Sequence, residues 1–350
     1  MASNYGNTTD SVPNASVSDS LPRNDNDGDD WEVKLTDPSY YSEQVWVMVV
    51  YGFVAVWGTM GNSVVMATIL RNKFLRTNTN YFILSLAFAD LMACVILFPV
   101  KVFPIQYVPP GIGGELLCRV IISEFPMWTS VVSSGFHLGA ITIERYIAII
   151  HPYKYVHFTK TKAVVCIICL WSLTLICEPY LIYIYTYKDG HCTTITTEVA
   201  RRYTQVSAIF LFLLSYVTPI IIMLIGYSSI FKTLKTEERT INSLSGANIE
   251  MEREKLKARK NIIKMLLIVV TTYFLCLTPN QILWFSFNAG LTIDFNSAYY
   301  NITVMLTFAN SCMNPVIYAI RNRRFRIGMK SLFCKGSQVG DAETTLDTGT

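Results

Sequence analysis

Charge is what this chain has least of. Of its 350 residues only 15% are Asp, Glu, Lys or Arg, while 51% are hydrophobic; soluble domains carry about 25% charge. The apolar residues are gathered into long runs, which excludes an ordinary soluble core and points to membrane spans. Histidine is scarce as well. Four scattered His supply no metal cluster and no base for a nucleophile, so a membrane enzyme finds no support. Met1-Ala2-Ser3-Asn4 lacks the basic start and apolar core of a cleavable signal, so the first span is expected to insert the chain. Nine cysteines are too few for a disulfide-dense scaffold. Cys94, Cys166, Cys169, Cys177, Cys276 and Cys312 lie inside apolar runs, as packing residues do. Cys118 and Cys192 sit at run edges on one side, and Cys334 lies in a basic tail on the other.

What is present divides cleanly. Residues 1–44 are polar and acidic, too poor in apolar surface to offset ordering entropy, and are expected to be a disordered tail. Asn7-Thr8-Thr9 and Asn14-Ala15-Ser16 fit the N-glycosylation acceptor pattern, giving Asn7 and Asn14 as candidates. Seven apolar runs follow, near 45–70, 80–106, 116–150, 163–186, 204–231, 261–288 and 297–320. Lys and Arg concentrate in alternate connections, with Arg71, Lys73 and Arg76 in the first and Lys154, Lys160 and Lys162 in the third. The fifth connection (roughly 232–262) and the C-terminal segment are basic too, which makes that side cytoplasmic and the N-terminus extracellular. The fifth connection opens on Asn242-Ser243-Leu244-Ser245-Gly246, expected to be mobile, and from Ile249 its charges alternate at helical spacing as an extension of the sixth helix. Over 321–335, Phe325, Met329, Leu332 and Phe333 alternate with Arg324, Arg326 and Lys330 as a short amphipathic membrane-surface helix. Cys334 at its end is a palmitoylation candidate or an unmodified thiol. Residues 336–350 form a polar cytoplasmic tail. The expected fold is an all-α membrane protein: a seven-transmembrane helix bundle over 45–320, with an eighth amphipathic helix.

The polar residues inside the runs carry the functional reading. Glu144 and Arg145 stand together at the end of the third run, and an ionised Arg near a bilayer either snorkels to the headgroups or has a partner and a role. Asn62 lies in the first run, Asp90 in Leu86-Ala87-Phe88-Ala89-Asp90, and Ser133, Ser134 and His137 in the third. Trp171 lies in the fourth, Pro219 and Tyr227 in the fifth, Cys276-Leu277-Thr278-Pro279 in the sixth, and Asn310 with Asn314-Pro315-Val316-Ile317-Tyr318 in the seventh. Taken together and in this order they resemble the rhodopsin-like (class A) G-protein-coupled receptors, from about Val45 to Cys334. Thr142-Ile143-Glu144-Arg145-Tyr146-Ile147-Ala148-Ile149, Leu75-Arg76-Thr77-Asn78-Thr79-Asn80 and Asn310-Ser311-Cys312-Met313-Asn314-Pro315 look most like neuropeptide receptors, near the thyrotropin-releasing-hormone and orexin-like groups.

That resemblance implies specific roles. Asp90, Ser134, Asn310 and Asn314 match the positions that share an allosteric sodium ion in the family, and their oxygens suit a hard cation; a protonated Asp90 bonded to Asn62 and Asn314 is the alternative. Glu144, Arg145 and Tyr146 match the G-protein coupling motif, with Tyr227, Asn314, Pro315 and Tyr318 as its switch partners. Pro219, Tyr273, Leu277 and Pro279 match the activation relay. Cys118 and Cys192 match the family disulfide. His137 lies near the depth of Ser85 and Trp171, and a hydrogen bond among these would satisfy it. The ligand site would draw on Gln106, Glu124, Met127, Asn280, Gln281, Trp284, Tyr299, Tyr300 and Phe308. Phe308 stands where a light receptor needs a retinal-binding Lys, which excludes that function. Met127 stands where a monoamine receptor needs Asp, unless the helix is rotated to present Glu124. A peptide is the expected ligand, an amine or lipid the alternative, and a transporter or channel the remote one. The acidic tail attracts a basic peptide or serves solvation alone. Heterotrimeric G protein, arrestin, a receptor kinase and membrane lipid are the implied partners; nucleic acid is not among them.

The chain also departs from the pattern. Arg259 stands where an acid commonly holds the arginine, so that lock is absent and raised basal activity is expected. Leu277 replaces the usual Trp before Pro279, so Tyr273 or Trp284 must supply the relay's bulk. Gly135 replaces the usual Ile of the mid-third helix, and Pro109-Pro110-Gly111-Ile112-Gly113-Gly114 lacks the usual loop Trp. The interval from Cys118 to Arg145 is two residues longer than usual, which predicts a shifted or bulged outer third helix.

Overall fold

The computed structural model describes residues 45–333, apart from 104, 106, 196, 244–248 and 296. Asn7, Asn14, Gln106, Cys334 and both tails lie outside the described residues. Among the described residues, seven helices are long and apolar enough to cross a membrane. They are α1 (Val45–Arg71), α2 (Asn78–Val102), α3 (Ile112–Ile150), α4 (Lys160–Ile184), α5 (Glu198–Ser243), α6 (Ile249–Asn288) and α7 (Ala298–Arg321). The amphipathic α8 (Arg323–Phe333) follows. Local sequence sets where several of them start. Thr77, Thr159, Thr197 and Ser297 precede α2, α4, α5 and α7, and each side chain accepts the amide N–H three residues on. Each such cap contributes about 1 kcal/mol.

Four spans depart from regular helix; α4 does so at Glu178, where one helix ends at Cys177 and the next begins at Pro179. α2 ends in a wide π-turn over Phe98–Val102, beginning beside Pro99, whose ring nitrogen carries no N–H. α5 contains a π-turn over Phe212–Val217, just ahead of Pro219. α3 has the largest fault. A short helix (Ile112–Leu116) passes into a π-turn (Leu117–Ile122), breaks at Ser123 and Glu124, and resumes at Phe125 with Pro126 in its first turn. Glu124 takes the left-handed conformation, φ 59° and ψ 15°, which costs a non-glycine residue about 1 kcal/mol or more. The π-turn and the break absorb the lengthened interval before Arg145.

The fifth connection differs from expectation. α5 runs on to Ser243, well past the expected end near 231, and α6 begins at Ile249. Much of the expected loop is therefore helix. Ion pairs join the two extensions: Glu237 with Arg259, and Glu238 with Lys260 at 2.6 Å.

Beyond α4 the chain turns into a hairpin, β1 (Tyr185–Lys188) antiparallel to β2 (His191–Thr194), with Tyr187 opposite Cys192. Its turn is Asp189-Gly190, both at positive φ, the geometry of a two-residue hairpin turn. Cys192 is bonded to Cys118 across a separation of 74 residues, which in loop-entropy terms stabilises by about 4 kcal/mol. Glu115 reinforces the join, accepting the Tyr187 amide at 2.8 Å and the Thr186 hydroxyl.

The bundle is inverted relative to a soluble protein. On α1, Val49, Phe53, Trp57 and Met60 face outward, while Tyr51 and Asn62 are buried. Interior polar groups are then the glue between helices. α8 seats against α1 through Gly328, where a Cβ would stand 2.9 Å from Leu75 and 3.0 Å from Thr68. Ser331 donates to Asn72 Oδ1 at 2.9 Å, and Phe325 lies edge-on to Tyr318.

Candidate functional site

At one end of the bundle the Glu144 carboxylate is the centre of a closed network. Arg145 Nε donates to it at 2.5 Å, and Arg145 Nη2 also reaches it. Tyr155, on the short helix after α3, donates to Glu144 Oε1 at 2.5 Å and accepts from Arg145 Nη2 at 3.1 Å. Thr79, at the start of α2, donates to both carboxylate oxygens. Burial and the hydrogen bond to Glu144 both push the Tyr155 phenol above its ordinary pKa, so it stays a proton donor. Neither Tyr155 nor Thr79 was among the expected residues. Tyr146 packs edge-on against His151.

Tyr227 on α5 and Tyr318 on α7 are buried; Tyr227 lies against Thr142 of α3, and among the described residues the Tyr318 hydroxyl has no hydrogen-bond partner. An unmet buried hydroxyl costs about 1–3 kcal/mol. Arg259, standing where an acid commonly holds the arginine, is instead paired with Glu237 of α5.

Asp90 lies deeper, 1% exposed. Ser134 donates to it at 3.2 Å, Ser311 at 2.8 Å and Asn314 Nδ2 at 2.7 Å. Ser311 thus occupies a place expected for Asn310, whose Oδ1 is buried without a partner, as are Oδ1 of Asn62 and Asn314. Asn62 donates instead to Gly58 and Ser311 carbonyls. A carboxylate, two hydroxyls and unmet amide oxygens together fit a hard monovalent cation. Nearby, Ser85 bonds His137 Nε2 at 2.8 Å and accepts the Trp171 indole N–H at 3.0 Å, tying α2, α3 and α4.

Between these levels, Tyr273 fills the space that Gly135 leaves. A Cβ on Gly135 would overlap the Tyr273 hydroxyl and stand 3.2 Å from the Ser215 carbonyl. Leu277 and Pro219 are buried, and Pro279 lies within α6. Phe212 and Tyr216 of the α5 π-turn stack toward Phe285 and Phe274 of α6, at 4.8 and 6.1 Å. Tyr216 also shares a 2.6 Å hydrogen bond with Thr278.

At the Cys118 end, Glu124 pairs with Lys101 of α2 at 2.6 Å and accepts the Trp128 indole N–H at 2.9 Å. Met127 and Phe308 are fully enclosed, with Phe308 against Trp128, so neither presents a surface here. Asn280 is buried and donates to Thr303; Gln281, Trp284 and Tyr300 are half-buried, and Tyr299 is exposed. Sequence reasoning missed Lys101, although a lysine inside an apolar run was signal enough. It also missed Glu178, a 2% exposed carboxylate within the fourth run.

The fold and these clusters define a seven-span helical membrane receptor. The profile described as 7 transmembrane receptor (rhodopsin family) matches residues 61–318. The chain belongs to that family. It is 29% identical to the substance-P receptor of Aquarana catesbeiana over 98% of this chain and 81% of that protein. It is 29% identical to galanin receptor 2b of Danio rerio, covering 82% of this chain and 74% of the relative. Against the Homo sapiens cholecystokinin receptor type A it is 28% identical, with 82% and 80% covered. Such even, distant similarity singles out no subgroup.

Proposed function

We propose that this receptor sits in the plasma membrane with its N-terminus outside, binds an extracellular peptide and activates heterotrimeric G proteins. The observation that carries the proposal is the state of Arg145. It is held by Glu144 and Tyr155, while the buried Tyr318 hydroxyl on α7 lacks a partner among the described residues and Tyr227 on α5 has only Thr142 beside it. Those phenols are acceptors waiting for a donor. Agonist favours a packing in which α6 swings outward about Pro279, the Glu144 latch opens, and Arg145 turns toward Tyr227 and Tyr318. The change is a population shift between two packings. Tyr273, packed into the Gly135 gap, stands in for the bulk that Leu277 lacks and links ligand contact to α6. Asn314 and Pro315 loosen α7 beside Asp90, where sodium favours the resting state. The relatives' printed names, substance-P, galanin and cholecystokinin receptors, support a peptide ligand. Arrestin and a receptor kinase would act at the same inner face.

A screen of synthetic secreted peptides against the receptor in membranes, read by guanine-nucleotide exchange on added G protein, tests this. Peptide-dependent exchange is expected. Ion flux or solute transport without a G protein would overturn it.

A further inference from the structure

The enclosed outer half of the bundle carries more acid than base. Lys101 and Glu124 neutralise one another. Glu115 and Arg119 do the same nearer the hairpin. Glu178 is left over: it is 2% exposed, and its Oε2 has no hydrogen-bond partner among the described residues. A buried carboxyl without a counter-charge avoids ionising, and a cation brought beside it supplies what the protein withholds. The residues just after it, Tyr180 and Leu181, pack with Trp128 of α3 and Trp284 of α6. Trp128 in turn holds Glu124. The two carboxylates therefore flank one cluster of aromatic side chains.

Resting on the receptor reading above, we infer that the ligand enters through a basic group, an amine or a guanidinium, with Glu178 as its counter-ion. Glu124 is a second acceptor. It is only partly enclosed, 18% exposed against 25% for Lys101, and it sits on strained left-handed backbone. Among the described residues of this half, an anionic ligand would find Lys101 and Arg119, both already paired. The acidic 1–44 segment, with Asp25, Asp27, Asp29 and Asp30 close together, adds attraction for the same sign of ligand.

The probe is agmatine, which carries both a guanidinium and an amine, with butyrate at equal ionic strength as control. On purified full-length receptor, agmatine at about 10 mM is expected to raise Tm by about 2 °C, and butyrate not at all. Glu178→Gln should raise Tm of the unliganded receptor, by removing the uncompensated carboxylate, and abolish the agmatine shift. Glu178→Asp should keep the shift. No shift in wild type, or the same shift in Glu178→Gln, overturns the inference. Basal nucleotide exchange on G protein is measured in parallel. Exchange retained without an agmatine shift sinks only the ligand class; no exchange in any condition sinks the receptor reading itself.

Discussion

Glu144 and Glu124 are both carboxylates on α3 beside a cation, about 30 Å apart along the helix axis. Glu144 is closed off. Its side chain is 2% exposed, and Arg145, Tyr155 and Thr79 all donate to it. Glu124 is open, with 18% of its side chain exposed, fewer donors and strained backbone beneath it. One protein has built the same chemical pair twice, once as a latch and once as a contact ready to change partners. Hydrogen-bond saturation, more than the presence of an ion pair, separates the two.

Several substitutions break or sharpen that contrast. Arg145→Ala has the largest expected effect. It strips the counter-charge from a buried carboxylate, which costs about 3–5 kcal/mol, and it abolishes agonist-driven nucleotide exchange while ligand binding persists. Thermal melts and exchange assays check the two parts. Glu124→Gln leaves Lys101 unpaired in a wetter place and should cost less, about 1–2 kcal/mol; equal losses in Tm for the two variants would erase the contrast. Gly135→Ala forces its new methyl into the Tyr273 hydroxyl, for a cost of about 1–3 kcal/mol. Adding Tyr273→Phe should recover part of it, and a double-mutant cycle measures the coupling. Tyr155→Phe removes one donor from the latch, worth about 1 kcal/mol, and basal exchange should rise about fivefold. Glu237→Gln, which frees Arg259 on a partly exposed surface, should change stability by less than about 1 kcal/mol.

The spans were legible because a bilayer demands about 20 apolar residues, and that length survives any detail of packing. The pairing of Cys118 with Cys192, and the link from His137 to Ser85 and Trp171, followed from positions on matching sides or at matching depths. The lengthened interval before Arg145 announced a fault in α3, but its form depended on where Pro126 and the disulfide left slack. Residues contributed by other elements were harder to read. Tyr155 sits in a short connecting helix with no periodicity of its own, and Thr79 reaches Glu144 only because α2 packs against α3. Ser311 adjoins Asn310, and only the roll of α7 decides which of them faces Asp90. The helical run of α5 to Ser243 was hidden because its polar face is satisfied by pairs with α6, beyond the reach of a hydropathy reading.

The latch itself is tested most directly by agonist-free nucleotide exchange on G protein, comparing Glu144→Gln with wild type and Arg145→Ala in the same membranes. The account predicts that Glu144→Gln raises basal exchange by roughly tenfold, as loss of about 1.4 kcal/mol of restraint would, while Arg145→Ala falls to the receptor-free baseline. Exchange unchanged from wild type in both variants would contradict it.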